Sequence, residues 1–312
     1  MSRQGVGGLV TRIRAVAVVS RVSATVGYNV ASVLLAVGLG VYVGGVPGSS
    51  TLWVAGGYAA ATMFAKLQAS VADAIHDRAA DATNPEKSSI AAAVDTLGLR
   101  RSWFLLGGYL VGAVVLYGAV AAAAGGWVLL AGAAVIGFGF TYSYPPRFKE
   151  RGVWNHVVTT GVDAGLLVLP VAALTAGAAA PTILVAVGVV ACYSFGYHVV
   201  HQAADVHFDR QAGIETFATA LGVADSVGVA AVATAAATGF SLALGYPIAA
   251  VALGGVTAFY VEIYYSVRGA DAAAASRRLS DRFSIAWIAT IANGALAVAV
   301  WRRVVEAGAV SL

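Results

Sequence analysis

Charge is scarce in this chain. Asp, Glu, Lys and Arg make up 11% of its 312 residues while 59% are hydrophobic, giving a mean hydropathy of +0.81. Soluble globular domains carry about a quarter charged residues, so a water-soluble domain is excluded and an integral membrane protein is predicted. Cysteine is scarcer still: Cys192 stands alone, which rules out an intrachain disulfide and leaves no redox trace of a compartment. Five histidines are too few for the imidazole-rich iron sites of membrane oxidases, although His198, His201 and His207 crowd one segment. Strict alternation of apolar and polar residues is missing, which excludes a membrane barrel and leaves helices as the spanning element. No cleavable leader and no Pro/Ser-rich linker stand out. Arg3, Arg12, Arg14 and Arg21 before a long first run read as a retained cytoplasmic end, and residues 1–312 read as one domain.

What is present is a series of apolar runs, each near the 20 or so residues that cross a hydrocarbon core. Nine are expected, over 22–44, 52–77, 103–124, 126–144, 155–177, 182–207, 223–243, 246–267 and 283–302. Apart from Lys66, Arg302 and Arg303, every Lys and Arg falls at the N-terminus or in the loops near 78–101, 147–151, 210 and 268–282. The alternate loops GGVPGSS, AAAAGG, AGAAA and GYP hold none. The positive-inside rule then places the N-terminus and the basic loops in the cytoplasm and the C-terminus outside, in a multi-pass cell-membrane protein. Topology accounts for the net charge of +4, so nucleic acid is not an expected partner. Trp53, Trp103 and Trp127, near span ends, read as interfacial anchors.

Asp73, Asp77 and Asp81 recur every fourth residue at the end of the second run, one above another on a helix face. Like charges so placed repel, which asks for a cation among them. Asp205 and Asp209 repeat the spacing after the sixth run. Two four-helix halves would bring both columns to a central cavity from the cytoplasmic side. Carboxylates without cysteine favour a hard cation, and Mg²⁺ shared with phosphate oxygens implies a diphosphate ligand. Arg78 and Lys87 follow the first column, Arg210 follows the second, and Arg147, Lys149 and Arg151 lie between. Cations there suit a leaving pyrophosphate, with a lipid tail among the helices. Solvated, topology-setting helix ends are the plainer account of any single Asp–Arg pair.

These motifs resemble the UbiA superfamily of intramembrane prenyltransferases, with N-D-x-x-D-x-x-x-D after helix 2 and D-x-x-x-D after helix 6. Asp77 and Asp81 match the first motif, Asp205 and Asp209 the second, and TYSYPPRFKERGVWN resembles the Y-S-x-P-P-x-x-x-K segment between them. The resemblance implies Mg²⁺-dependent transfer of an isoprenyl group from its diphosphate to a lipophilic acceptor in the membrane. The implied metal ligands are Asp77, Asp81, Asp205 and Asp209, and Asp73, standing where the motif has Asn, is a further candidate metal ligand. Tyr142 and Lys149 fall where the family contacts the diphosphate, beside Arg78, Lys87, Arg147 and Arg210. Ala74 replaces the motif's first Asp, and Gln202 stands where a further Asp often precedes the second motif. The spacing from His198 through Thr216, with the Asn84-Pro85-x-Lys87 run, leans toward the carotenoid-elongating branch.

Lys66 lies about seven residues before Asp73 on the same helix face and is expected either to steady the diphosphate site or to pair with Glu262 or Asp163. Asp163, mid-span, is a candidate base for an acceptor proton, with a structural hydrogen-bonded carboxylate as the alternative. A terpene cyclase on the same scaffold, and a transporter or lipid-binding protein using these charges as a relay, remain open beside the transferase.

Overall fold

The computed structural model describes residues 3–84 and 87–308, with side chains from residue 8 onward. Pro85, in the Asn84-Pro85-x-Lys87 run, and the side chain of Arg3 lie outside the described residues. In chain order the helices are α1 (Arg3–Val19), α2 (Val22–Gly44), α3 (Ser49–Asp81), α4 (Ser88–Leu97), α5 (Leu99–Ala124), α6 (Trp127–Thr141), α7 (Val153–Thr160) and α8 (Leu169–Ala176). They continue with α9 (Pro181–Ala204), α10 (Val206–Gln211), α11 (Phe217–Leu221), α12 (Val223–Ala243), α13 (Pro247–Val267), α14 (Ala272–Ser280) and α15 (Ile285–Glu306). Between α7 and α8 the chain is π-helical over Gly161–Val168. Among the described residues no strand forms, and the isolated bridge between Gly152 and Thr216 is the sole β pairing.

Hydrocarbon offers no hydrogen bonds, so backbone groups must pair within each helix. Seven described segments are long and apolar enough to cross a membrane: α2, α5, Val153–Ala176, α9, α12, α13 and α15. The fold is therefore all-α and membrane-spanning. Two of the nine expected runs differ from these seven. Helix α3 covers 52–77 and extends to 33 residues, but carries Lys66, Asp73, Asp77, Arg78 and Asp81. Helix α6 stops at Thr141 after 15 residues, about 22 Å of rise against a core of roughly 30 Å. The sixth run breaks at Asp205, where α9 gives way to the short α10.

Packing divides the chain into two units. The first holds Met1–Val26 and Ala60–Phe148. Its buried cluster joins Ala15 and Val19 of α1, Val71, Ala72 and Ala74 of α3, Ala93, Val94 and Leu97 of α4, and Leu106 of α5. Gly132 of α6 lets the ring of Tyr117 lie on its backbone, since a Cβ there would meet the ring at 2.6 Å. The Tyr117 hydroxyl in turn pairs with Thr62 of α3 at 2.8 Å.

The second unit holds Gly27–Ala59 and Lys149–Leu312. Small residues permit close helix approach, the usual device where lipid supplies no hydrophobic drive. A Cβ on Gly40 would sit 2.3 Å from Thr175, and one on Gly196 2.8 Å from Thr234. Trp301 Nε1 donates to the Leu34 carbonyl at 2.9 Å, and Tyr193 Oη to Asn293 Oδ1 at 2.7 Å. The π-helical stretch disturbs the regular backbone ladder, and the Leu166 carbonyl there accepts from Tyr58 Oη at 3.0 Å.

Candidate functional site

Helix α3 runs unbroken to Asp81, so the three aspartates expected to stack do share one helix, and their surroundings differ. Asp73 is buried, its Oδ2 accepting from Arg21 Nη2 at 2.5 Å and its Oδ1 from Ser143 Oγ at 2.6 Å. Asp77 is half-buried, with His76 Nδ1 2.8 Å from its Oδ1. Asp81 is buried and its Oδ2 has no hydrogen-bond partner among the described residues. Burial first, and then the charges of Asp73 and Asp77, push the Asp81 carboxyl up to about 6, against the opposing pull of Lys87 and Arg21. Ala74, at the motif's missing aspartate, packs in the apolar cluster of α1, α4 and α5, where a carboxylate would be stranded.

Arg21, a topology signal by its position in the sequence, is a cation that meets the column at Asp73. Burial works against its charge, while Asp73, Tyr142, Asp81 and Asp77 together hold its guanidinium above the ordinary arginine value. It sits at φ +50°, and Arg147 at φ +58°. Among the described residues these two arginines are the non-glycine residues with positive φ, a departure that clusters at functional sites. Arg78 turns to Asp95 of α4 at 2.5 Å, a solvent-exposed pair of little energetic weight. Lys87 is the N-cap residue of α4 and acts on Asp81 through space. Tyr142 caps α6 and is half-buried. Ser143 was visible within the Y-S-x-P-P segment; its role on Asp73 was not.

In the second unit Asp205 forms the joint between α9 and α10, and the Asp209 N–H donates to the Asp205 carbonyl at 2.9 Å, keeping the pair one turn apart. Both carboxylates are half-buried. Arg210 is exposed and its Nη2 donates to the Thr219 carbonyl at 2.8 Å, tying the loop after the motif to α11. Lys149 lies half-buried in the 3₁₀ turn Phe148–Glu150. Gln202 is buried, and its Oε1 accepts from the Ala218 N–H at 3.0 Å and lies 3.2 Å from His156 Nε2. That oxygen is committed to holding α11 and α7. Asp163, in the π-helical stretch, is held by Tyr197, His198 and Ser194. Glu262, one of the partners expected for Lys66, pairs with Arg282 at 2.5 Å.

Among the described residues no three carboxylates, imidazoles or thiolates converge on one metal position. A hard cation nevertheless suits the first column: its donors are oxygens, and Asp81 carries a buried oxygen with no hydrogen-bond partner among the described residues, beside two like charges.

A family model described as the UbiA prenyltransferase family matches residues 31–291. No curated protein sequence matches. Among solved structures, a UbiA homolog from Archaeoglobus fulgidus bound to GPP and Mg²⁺ is similar at a TM-score of 0.59 and 18% identity, over 92% of this chain and 99% of that one. An apo UbiA homolog from Aeropyrum pernix K1 reaches 0.62 and 20%, over 90% and 98%. A digeranylgeranylglyceryl phosphate synthase reaches 0.60 and 11%, over 93% and 99%. At these identities the likeness is one of fold.

Proposed function

Because the chain belongs to the UbiA prenyltransferase family, we infer that it moves an isoprenyl group from an isoprenyl diphosphate to a lipophilic acceptor within the membrane, with Mg²⁺ as its metal. The observation that carries the reading is the unbroken α3 column, which ends in a buried carboxylate oxygen without a hydrogen-bond partner among the described residues. The Archaeoglobus fulgidus homolog bound to GPP and Mg²⁺ supports the donor class and the metal.

In this reading Asp77, Asp81, Asp205 and Asp209 hold the metal, and Asp73 contributes less because Arg21 and Ser143 engage both its oxygens. Mg²⁺, when bound, offsets charge on the diphosphate oxygens as the carbon–oxygen bond breaks. Arg78, Lys87, Arg147, Lys149, Arg210 and Tyr142 bind the diphosphate, with Lys149 and Tyr142 as catalytic contacts to it. Apolar helix faces exclude water from the allylic cation. Removal of the acceptor's proton draws on Asp163 and the groups bonded to it. The His198–Thr216 spacing favours an alkene acceptor of the carotenoid kind over a phenol. The chain acts as one functional domain with nine spans, the N-terminus and Asp-motif loops cytoplasmic and the C-terminus outside.

Purified protein incubated with dimethylallyl, geranyl or geranylgeranyl diphosphate, Mg²⁺ and a lipid extract should release pyrophosphate and form a prenylated lipid. A cyclase would instead release pyrophosphate with no acceptor consumed, and a transporter would release none. Asp77→Asn and Asp209→Asn should each lower Mg²⁺ affinity on the order of 10–100-fold and nearly abolish turnover, while the protein still inserts. Near-normal rates in both variants would remove the metal assignment.

A further inference from the structure

A carboxylate inside a hydrocarbon span is costly and has to be held by donors. Asp163 is 5% exposed, and its Oδ2 accepts from Tyr197 Oη at 2.7 Å, with His198 Nε2 at 3.1 Å and Ser194 Oγ at 3.2 Å. Ser194 has one hydroxyl hydrogen to give, and Tyr197 Oη at 3.0 Å competes for it. Tyr197 is therefore the firm support of the carboxylate. The site sits in the Gly161–Val168 π-helical stretch, a backbone departure frequent at functional positions. Nothing in the binding of metal or diphosphate accounts for this cluster.

Its hydrogen bonds set a direction. With Asp163 ionised, its carboxylate can only accept; His198 Nε2 then carries the hydrogen that faces it, and Nδ1 keeps its lone pair. A carboxylate fixing one imidazole nitrogen in this way orients the ring and stabilises the imidazolium that forms when the other nitrogen takes a proton. The ring of His198 lies against that of Tyr197, centroids 4.6 Å apart, which further limits its rotation. Access follows the same order: the His198 side chain is 15% exposed against 8% for Asp163, while Tyr197 and Ser194 are buried.

We propose that His198 Nδ1 is the base that accepts the acceptor's proton, and that Asp163 is the positioning residue acting through it. The inference rests on the prenyl-transfer reading. The carbon–oxygen bond of the isoprenyl diphosphate breaks and its electron pair leaves with the diphosphate. An electron pair of the acceptor, from a π bond or an oxygen, forms the new bond to the allylic carbon. The proton then carried by the cationic acceptor passes to Nδ1, its bonding pair stays with the acceptor, and the imidazolium returns the proton to water.

The test uses membranes of cells that naturally contain the protein, with its gene removed, as the acceptor source. Tritiated dimethylallyl, geranyl and geranylgeranyl diphosphates with Mg²⁺ are the donors, and purified full-length protein is added. His198→Ala should lower kcat for labelled-lipid formation by about 100-fold or more with the donor KM unchanged, and added imidazole should restore at least about a tenth of the rate. Asp163→Asn should lower kcat by roughly 10–100-fold without response to imidazole, while Asp163→Glu recovers part of it. His198→Gln, which keeps a polar side chain there, provides a second variant should the alanine protein not fold. Transfer near the wild-type rate in either His198 variant, or a loss in His198→Ala that imidazole leaves unchanged, overturns the assignment. Labelled lipid absent even with the wild type overturns the prenyl-transfer reading and this inference with it.

Discussion

Arg21 and Asp73 form an ion pair at 2.5 Å across 52 residues of sequence, with Ser143 Oγ 2.6 Å from the other oxygen of the same carboxylate. The chain thus neutralises the first aspartate of its own column and leaves Asp81 with a buried oxygen that has no hydrogen-bond partner among the described residues. Asparagine keeps one acceptor oxygen at position 73, so Asp73→Asn should retain most activity with a somewhat higher Mg²⁺ requirement. Asp73→Leu strands Arg21 and Ser143 together and should cost about 1–3 kcal/mol of stability. Thermal unfolding in detergent and the Mg²⁺ dependence of pyrophosphate release check both. Equal losses in the two variants would contradict this division of roles.

Asp81 gives a pH dependence. Its folded carboxyl is raised to about 6, above the ordinary aspartate value, so between about pH 4 and 6 the folded protein binds more protons than the unfolded chain. Its contribution to stability is therefore fully present below pH 4 and is lost as pH rises through about 6. Metal competes with that proton, so Mg²⁺ should raise the unfolding temperature more at pH 7.5 than at pH 5. In Asp81→Asn the same metal-free pH scan should lose this contribution. A Mg²⁺ effect that does not change between the two pH values would count against Asp81 as a ligand.

Gln202 occupies the position of a possible further metal ligand but spends its oxygen on the Ala218 N–H and on His156. Aspartate there is one methylene shorter and cannot span the same pair. Gln202→Asp and Gln202→Ala should both destabilise by about 1–3 kcal/mol, and neither should tighten Mg²⁺ binding. Tighter Mg²⁺ binding by a Gln202→Asp protein of unchanged stability would show the position to be a latent ligand.

The inferred orientation is open to chemical labelling. In a Cys192→Ala background, Ser88→Cys and Ala212→Cys should react with a membrane-impermeant thiol reagent only after cells are opened. Reaction in intact cells at either site would reverse the topology.

Relations within one helix were readable in advance. The runs at 22–44 and 223–243 became α2 and α12 with the expected bounds, because about 20 apolar residues in hydrocarbon have no backbone solution except a helix. The Asp73, Asp77 and Asp81 column followed from the 3.6-residue period alone. The π-helical turn was not readable, since Gly161–Val168 looks like any other apolar stretch.

Sequence alone therefore determined the class of the protein, most of its helices and the residues of its two aspartate motifs, all of which depend on composition or on spacing along one chain segment. Tertiary structure decided which partners those residues meet: Arg21 and Ser143 on Asp73, the 35-residue step from Asp163 to His198, and Gln202 beneath α11. In a soluble helix an amphipathic stripe marks the inward face. Helices that are apolar all round carry no such stripe, and their rotation is set by small-residue contacts such as Gly40 on Thr175 and by buried polar bonds, which exist only once the helices have packed.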